Sequence, residues 1–505
     1  MKSIKSVFLL VLMVMSFSCT KLDESFRSEL EESNSSNVTA AQLLTNAYNS
    51  VNLLQVGDLW HAMEQTSDEV IAPTRGPDWD DNGQWRALHT HTWNADQGQI
   101  RGAFNGLLSA QFAASNVLQF NPSAQQAAEA RFLRALTMFF VLDGWDQVPY
   151  REDLTNYKVL PKTLKGQEAL DFIVSELNAI IPALPAGGED FVANKNAARA
   201  LLMKVYLNKG VYSNRAAPTF AAADMAQVIA LADQITGYSL TAPFFDNFAP
   251  QNDVRSNENI FTLYNKTGDR GGDGPRAAGF SVSHYNMNPG GWNGFATLSD
   301  FYDKFQATDQ RRGMVYRYPE GLPNPGNRIN VGFLVGQQYN LTTDAPLLDR
   351  KGKNLVFTRE VKIRETDENT LEATGIRVIK YPFDYAAAGD IKNNDWVVFR
   401  YADVLLMKAE AQLRSGNAGG ALTIVNQIRA LRGATPLAAV TAADMLDERG
   451  REMYWEGWRR QDLIRFGQFL RAWQEKPASA ARNLIFPIPN NQLSVNPNLT
   501  QNPGY

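Results

Sequence analysis

Arg400-Tyr401-Ala402-Asp403-Val404-Leu405-Leu406-Met407, followed by Ala409-Glu410-Ala411, is the stretch on which the fold turns. From Asp395 onward, Val398, Ala402, Leu405, Leu406, Ala409 and Leu413 recur at helical spacing, which predicts a helix with one apolar face. Ser415-Gly416-Asn417 then makes a turn, and residues 418–431 give a second helix with Leu422, Val425 and Ile428 inward. Thr441 opens a third helix, with Asp444 three residues on as in a capping box. Helix, short glycine turn, helix, at about 35 residues per pair, is the pattern of tetratricopeptide-like units. Such units bury their apolar faces only by stacking, so helices from both ends of the chain are expected to join one superhelix.

Working outward, the N-terminal half carries the same periodicity at residues 39–54, 97–120, 123–142, 164–181, 194–208 and 220–235, the last stopping at Gly237. Between about 239 and 394 the helical signal fades. Gly, Pro and Asn cluster at 268–279 and 288–294, and short alternating runs at 357–363 and 376–381 predict strands. The expected fold is therefore mainly α: a tetratricopeptide-like helical-repeat superhelix with a loop-rich, partly β middle excursion. The expected division is a signal peptide at 1–18, a lipid anchor and tether at 19–37, and an N-terminal helical part at 38–238. A ligand-binding excursion at 239–394 and a C-terminal helical part with tail at 395–505 follow.

The 505 residues, 44% hydrophobic and 20% charged, are ample for a large core. A net charge of −4 offers no electrostatic footprint for nucleic acid. At the N-terminus Lys2 and Lys5 precede an apolar run from Val7 to Met15, and Ser16-Phe17-Ser18 leads to Cys19, the sole cysteine. This predicts a signal peptide with Cys19 as the acylated residue of a lipoprotein. Lipid chains contribute about 0.8 kcal/mol per buried CH₂, so anchoring needs no spanning helix, and no later segment is long and apolar enough to be one. The Ser- and Asn-rich stretch that follows reads as a tether. Lys21, Asp23 and Glu24 behind the anchor are similar to a signal for export to the outer leaflet.

Several stretches then resemble the SusD/RagB family of surface glycan-binding lipoproteins. Glu129-Ala130-Arg131-Phe132-Leu133-Arg134-Ala135 with Val148-Pro149, and Asp300-Phe301-Tyr302-Asp303 with Asp309, Arg311 and Arg312, are similar to family segments. So are the stretch at Arg400 quoted above, the run from Glu448, Arg449 and Glu452 to Asp462-Leu463-Ile464-Arg465, and the ending from Phe486-Pro487-Ile488-Pro489 to Tyr505. They occur in the family's order. The resemblance implies a helical fold with four tetratricopeptide-like pairs and no catalytic residues or cofactor. It further implies a lipid-anchored outer-membrane location and a partner, a TonB-dependent transporter that the protein covers like a lid. The sequence departs from the pattern in three places, one of them the ligand-contacting loops, which match no particular member, so the resemblance carries no sugar identity. Asp146-Gln147 stand where a glycine is usual, although Asp tolerates a left-handed backbone, and Arg460-Gln461 replace aromatics.

Glu448, Glu452 and Glu456 fall at i, i+4 and i+8, and paired carboxylates could serve a glycosidase. Arg449, Arg451, Arg459 and Arg465 on neighbouring turns instead predict ion pairing, which lowers carboxyl pKa. His89-Thr90-His91 could set two imidazoles on one side of a strand, but no ligand set for zinc accompanies them. Asp78, Asp80, Asn82 and Gly83 match the start of a calcium loop whose twelfth position, His89, lacks the bidentate carboxylate, so no metal site is expected.

The aromatics carry the sharper expectation. Trp79, Trp85 and Trp93 lie in a polar stretch with Arg75, Asp80 and Asn82, and Trp292 sits in Pro289-Gly290-Gly291-Trp292-Asn293-Gly294 with Tyr285 close by. Sugar C–H faces stack on flat rings, and sugar hydroxyls pair with planar polar groups. Trp79, Trp85, Trp292, Arg75, Asp80, Asn82 and Tyr285 are therefore the expected ligand contacts, and Trp60, Trp93 and Trp145 the expected packing residues. The function that follows is capture of an oligosaccharide and its handover to the transporter. Its rivals are a peptide or other nutrient as cargo, a surface glycosidase, and a purely structural adaptor.

Overall fold

Ser123 starts the longest helix by accepting from the Gln126 amide while the Gln126 side chain reaches back to the Ser123 N–H. That reciprocal box satisfies two otherwise orphaned donors. The computed structural model describes residues 38–156, 158–318 and 327–505. The expected signal peptide, Cys19 and the expected tether lie outside the described residues. Residues 40–505 pack as one unit.

The N-terminal helices are α1 (Ala40–Ser50), α2 (Asp58–Glu64), α3 (Gln84–His89), α4 (Gly98–Val117), α5 (Ala124–Trp145), α6 (Gln167–Ile180), α7 (Lys195–Ser213) and α8 (Ala222–Asp233). From Phe132 onward α5 is buried on every side, which makes it the centre of the core. It packs on α4 and α6, while α1 packs on α4 and α7 on α8. At its end Asp146 takes φ +62°, so the turn usually made by glycine survives here, and β2 (Gln147–Tyr150) leads away to pair with β3 (Lys162–Lys165). Arg460 and Gln461 are also accommodated. The Arg460 guanidinium carbon lies 4.2 Å over the Phe486 ring, and Gln461 donates to Asp143.

In the C-terminal part α10 (Tyr401–Arg414), α11 (Ala418–Leu431), α12 (Ala442–Met453) and α13 (Arg459–Arg465) follow the excursion, whose own longest helix is α9 (Gly274–Val282). The Thr441–Asp444 box at α12 is formed as its sequence predicts. Helix α10 packs on α8 and α7, so the two ends of the chain share one helical layer. The segment after Asp395 differs from expectation. Trp396–Arg400 is strand β11, antiparallel to β4 (Asn259–Leu263), and the helix begins only at Tyr401. The middle strands are shorter than the sequence runs suggest. Val356–Phe357 (β8) pairs with β7 (Gly336–Gln337), and Arg377–Ile379 (β10) pairs with β6 (Val331–Leu334), itself beside β5 (Gly313–Met314). The fold is mainly helical, with helix-on-helix packing and a small β-rich region. Among the described residues, no helix is long and apolar enough to cross a membrane.

Beneath the excursion lies a buried knot of charge. Arg311 donates to Asp309, Glu448 and Glu452 at 2.7–3.0 Å; Arg400 to Glu452, Glu456 and Glu258; and Arg432 to Glu258 and Glu452. Burial alone would raise the Glu448 carboxyl, but Arg311, Arg451 and Arg429 hold it at about 2, and Arg432, Arg400 and Arg311 likewise depress Glu452. Such groups are fixed anions, unsuited to donating protons. Glu456 is not on the helix with the other two, as its spacing suggested. α12 ends at Met453, Trp455 turns the backbone at φ +62°, and Glu456 reaches Arg400 from the loop beyond.

Candidate functional site

Two loops more than 200 residues apart in sequence meet on the excursion side of the core. The first leaves β1 (Thr74–Arg75), which pairs in parallel with β9 (Arg364–Glu365), and is pinched by reciprocal backbone hydrogen bonds between Arg75 and Asp78. Its backbone then runs through left-handed positions at Trp79 (φ 61°), Asp81, Asn82 and Gly83 before α3 begins. This tight path leaves the Trp79 indole partly buried against the edge of the core. Trp79 rests edge-on against Phe295 at 5.1 Å, and its Nε1 donates to the Trp292 carbonyl at 2.9 Å. A Cβ at Gly294 would come within 2.3 Å of this indole, so the second loop has glycine where the ring lies down.

That second loop follows α9 and folds back on it, with the Trp292 N–H donating to the Phe280 carbonyl at 2.7 Å. Trp292 is 46% exposed, with Phe280 edge-on to its ring and the Arg276 guanidinium 4.3 Å over Phe280. Tyr285 donates its hydroxyl to Asp78 at 3.2 Å, joining the loops a second time. The guanidinium of Arg350 lies 3.9 Å over the Tyr285 ring while its Nε donates to Glu372 at 2.6 Å. The result is an aromatic shelf of Trp292, Trp79 and Tyr285 edged by Asp78 and Arg350. On its flank lies a polar groove of about 570 Å³, lined in part by Asp81, Asn82, Asn94, Asp96 and Arg101.

Two expected ligand contacts are corrected. Arg75 is only 2% exposed and donates to the carbonyls of Gly294, Thr374 and Leu371, so it ties the loops together from inside. Trp85 is 9% exposed because residues 84–89 form a helix that turns it onto His61 and Phe295, at 5.0 and 5.7 Å, with its Nε1 on Asp81. Both support the shelf from beneath. Asp80 is held by Arg86 at 2.7 Å with its side chain 44% exposed, and Asn82 is exposed beside the polar groove. Trp60, Trp93 and Trp145 are core residues. Sequence reasoning missed Phe295, the floor on which both indoles rest, and the arginines Arg350 and Arg276. A lone Phe gives no such signal, and neither arginine is near the Trp residues in sequence.

The imidazoles of His89 and His91 are not on a strand. His89 ends α3 and faces the carbonyls of Val70 and Gln474, while His91 faces Thr66 and Ser479. Burial lowers His89 to about 4, so it is a neutral packing group. Among the described residues, no cluster of His, Cys, Asp and Glu has the makings of a metal site.

Residues 251–505, half of the chain, match the family model described as the SusD family. The chain belongs to that family. Among SusD relatives, the starch-binding protein SusD of Bacteroides thetaiotaomicron is 28% identical over 422 residues, covering 75% of this chain and 73% of its own. The SusD-like protein P38 of Formosa agariphila is 25% identical over 412 residues, covering 75% and 74%. Solved SusD-like structures share the fold. A laminarin-binding SusD-like protein superposes with a TM-score of 0.67 at 20% identity, over 92% of this chain and 99% of its own. Surface glycan-binding protein A of Bacteroides thetaiotaomicron, solved with laminarihexaose, does so with 0.66 at 16%, over 92% and 98%.

Proposed function

We infer that this chain is a non-catalytic surface lipoprotein that captures an oligosaccharide on the shelf of Trp292, Trp79 and Tyr285. Asp78, Asp80, Asn82 and Arg350 supply polar contacts, and the cargo passes to a TonB-dependent outer-membrane transporter. The observation that carries this reading is the convergence of the two loops: Trp79 is locked to the Trp292 carbonyl while the Trp292 ring stays half exposed. A sugar ring can stack on a fixed indole without the entropic cost of ordering it first. Relatives described as binding starch and laminarin lend the same reading support.

Cys19 is the proposed lipid anchor, residues 19–37 its tether, and the outer membrane the location. The helices of residues 38–238 and 395–505 form, on this reading, one tetratricopeptide-like superhelix that presents the excursion of residues 239–394. Titration calorimetry of the mature protein with maltoheptaose, laminarihexaose, a wider glycan panel and a peptide mixture tests the proposal. Binding of at least one oligosaccharide, weakened in Trp292→Ala, is expected. Heat from the peptides alone would replace glycan by peptide as cargo.

A further inference from the structure

Neighbouring arginines of the Asp309–Arg312 turn meet opposite surroundings. Arg311 is fully buried and saturated by Asp309, Glu448 and Glu452. Arg312 instead lines an open cavity of about 440 Å³. There its Nη2 donates to the Tyr302 hydroxyl at 2.5 Å, and the guanidinium carbon stands 4.5 Å from the Tyr302 ring centre. Among the described residues it has no carboxylate partner. A second guanidinium, Arg328, lines the same cavity 3.8 Å over the Tyr339 ring. Asp344 is 3.8 Å from it, too far for a hydrogen bond, and the buried Arg328 Nε has no hydrogen-bond partner among the described residues.

The rest of the described wall is aromatic, aliphatic or amide, including Phe333, Phe383, Leu334, Ile379 and Gln337, with no Asp or Glu. The cavity opens past Ile329 and Val335, which are 52% and 37% exposed. Met287 and Asn288 form part of its wall, and the same loop carries Tyr285 and Trp292, so the cavity flanks the shelf. Its volume lies within the range of small-ligand sites, roughly 300–1,000 Å³. Arg312 has no carboxylate partner among the described residues and Arg328 has only the long ion pair to Asp344 at 3.8 Å, so neither guanidinium is hydrogen-bonded to an acid. A carboxylate or sulfate supplies that bond, because its oxygens accept the paired N–H groups of the planar fork. Aromatic walls suit the ring that bears the anion.

We propose that this cavity holds an anionic sugar residue, a uronate or a sulfated ring, of the oligosaccharide captured on the shelf, with Arg312 and Arg328 pairing to its charge. This rests on the glycan reading above and narrows its substrate class. The test is titration calorimetry with trigalacturonate, the same trisaccharide with its carboxyls reduced to alcohols, and a sulfated galactotriose. The proteins are the wild type, Arg312→Gln, Arg312→Lys and Trp292→Ala.

The wild type is expected to bind one acidic trisaccharide at least about tenfold more tightly than the reduced one. Which of the two acidic sugars does so identifies the anion. Arg312→Gln brings the acidic sugar down to the level of the reduced one, Arg312→Lys retains part of the preference, and Trp292→Ala weakens all. If Arg312→Gln melts early, the Lys variant carries the comparison. Equal binding of acidic and reduced sugars by the wild type, or a preference that survives loss of the guanidinium, overturns the inference and leaves the shelf intact. Absence of binding by every saccharide, neutral or acidic, overturns both readings.

Discussion

Trp85 and Trp292 look interchangeable in sequence and are opposites in the structure, so truncating each gives a matched pair of outcomes. Trp85 is 9% exposed and sits between His61, Phe295 and Trp79. Removing a buried indole to Ala costs about 3–5 kcal/mol. At roughly 2.1 cal/mol/K per residue, unfolding a chain of this length carries an entropy of about 1 kcal/mol/K, so melting should fall by about 3–5 °C. Trp292 is 46% exposed, and its truncation should cost within roughly 0.5 kcal/mol, about half a degree. Loss of its ring from a sugar stack, taken as about 0.5–1.5 kcal/mol, weakens affinity roughly two- to tenfold. Scanning calorimetry and binding of the best oligosaccharide, run on both variants, give the comparison. If Trp85→Ala melts with the wild type, or Trp292→Ala melts as early as Trp85→Ala, the division into support and shelf is wrong.

Gly294→Ala should push the Trp79 indole away, because the added methyl would lie 2.3 Å from the ring; affinity is expected to drop at native helix content, read by circular dichroism. Arg400→Met removes the cation shared by the buried Glu258, Glu452 and Glu456, which keep Arg432, Arg311 and Lys380, and should cost up to about 3–5 kcal/mol in urea unfolding. Stability should also fall between pH 5 and 8. Burial raises the Asp395 carboxyl to about 7, and burial with Asp395 and Asp253 nearby raises Asp190 to about 8. Folded values above the unfolded one of about 4 give a contribution that is complete below pH 4 and lost as pH rises through 7 to 8. Asp395→Asn keeps an acceptor for the Asn265 N–H and should flatten that decline; an unchanged slope in urea melts would refute the assignment. Glu448, held at about 2, acts oppositely, its contribution being complete above about 4.3 and lost as pH falls through 2.

Local signals were legible in the sequence. The Ser123 and Thr441 caps need only residues three apart, and the apolar faces of 401–413 and 418–431 are set by the helix period itself. Trp396–Arg400 was not legible as a strand. A short apolar run leading into a helix has no period of its own, and pairing with Asn259–Leu263 decides its form. The site divides in the same way. Flat rings in two polar loops marked where to look, but nothing local tells Trp79 from Trp85. Four left-handed backbone positions and a short helix leave one indole partly exposed and bury the other. Arg75 is harder still, since its three carbonyl partners come from residues 294, 371 and 374.

The knot of Arg311, Arg400 and Arg432 with Glu258, Glu448 and Glu452 bears on how such a protein changes its diet. The frame is fastened by buried ion pairs, whereas the Trp292 ring on its loop stands half exposed. Exposed positions such as Trp292 can therefore vary at little cost to folding, so that specificity can drift while the frame stays fixed.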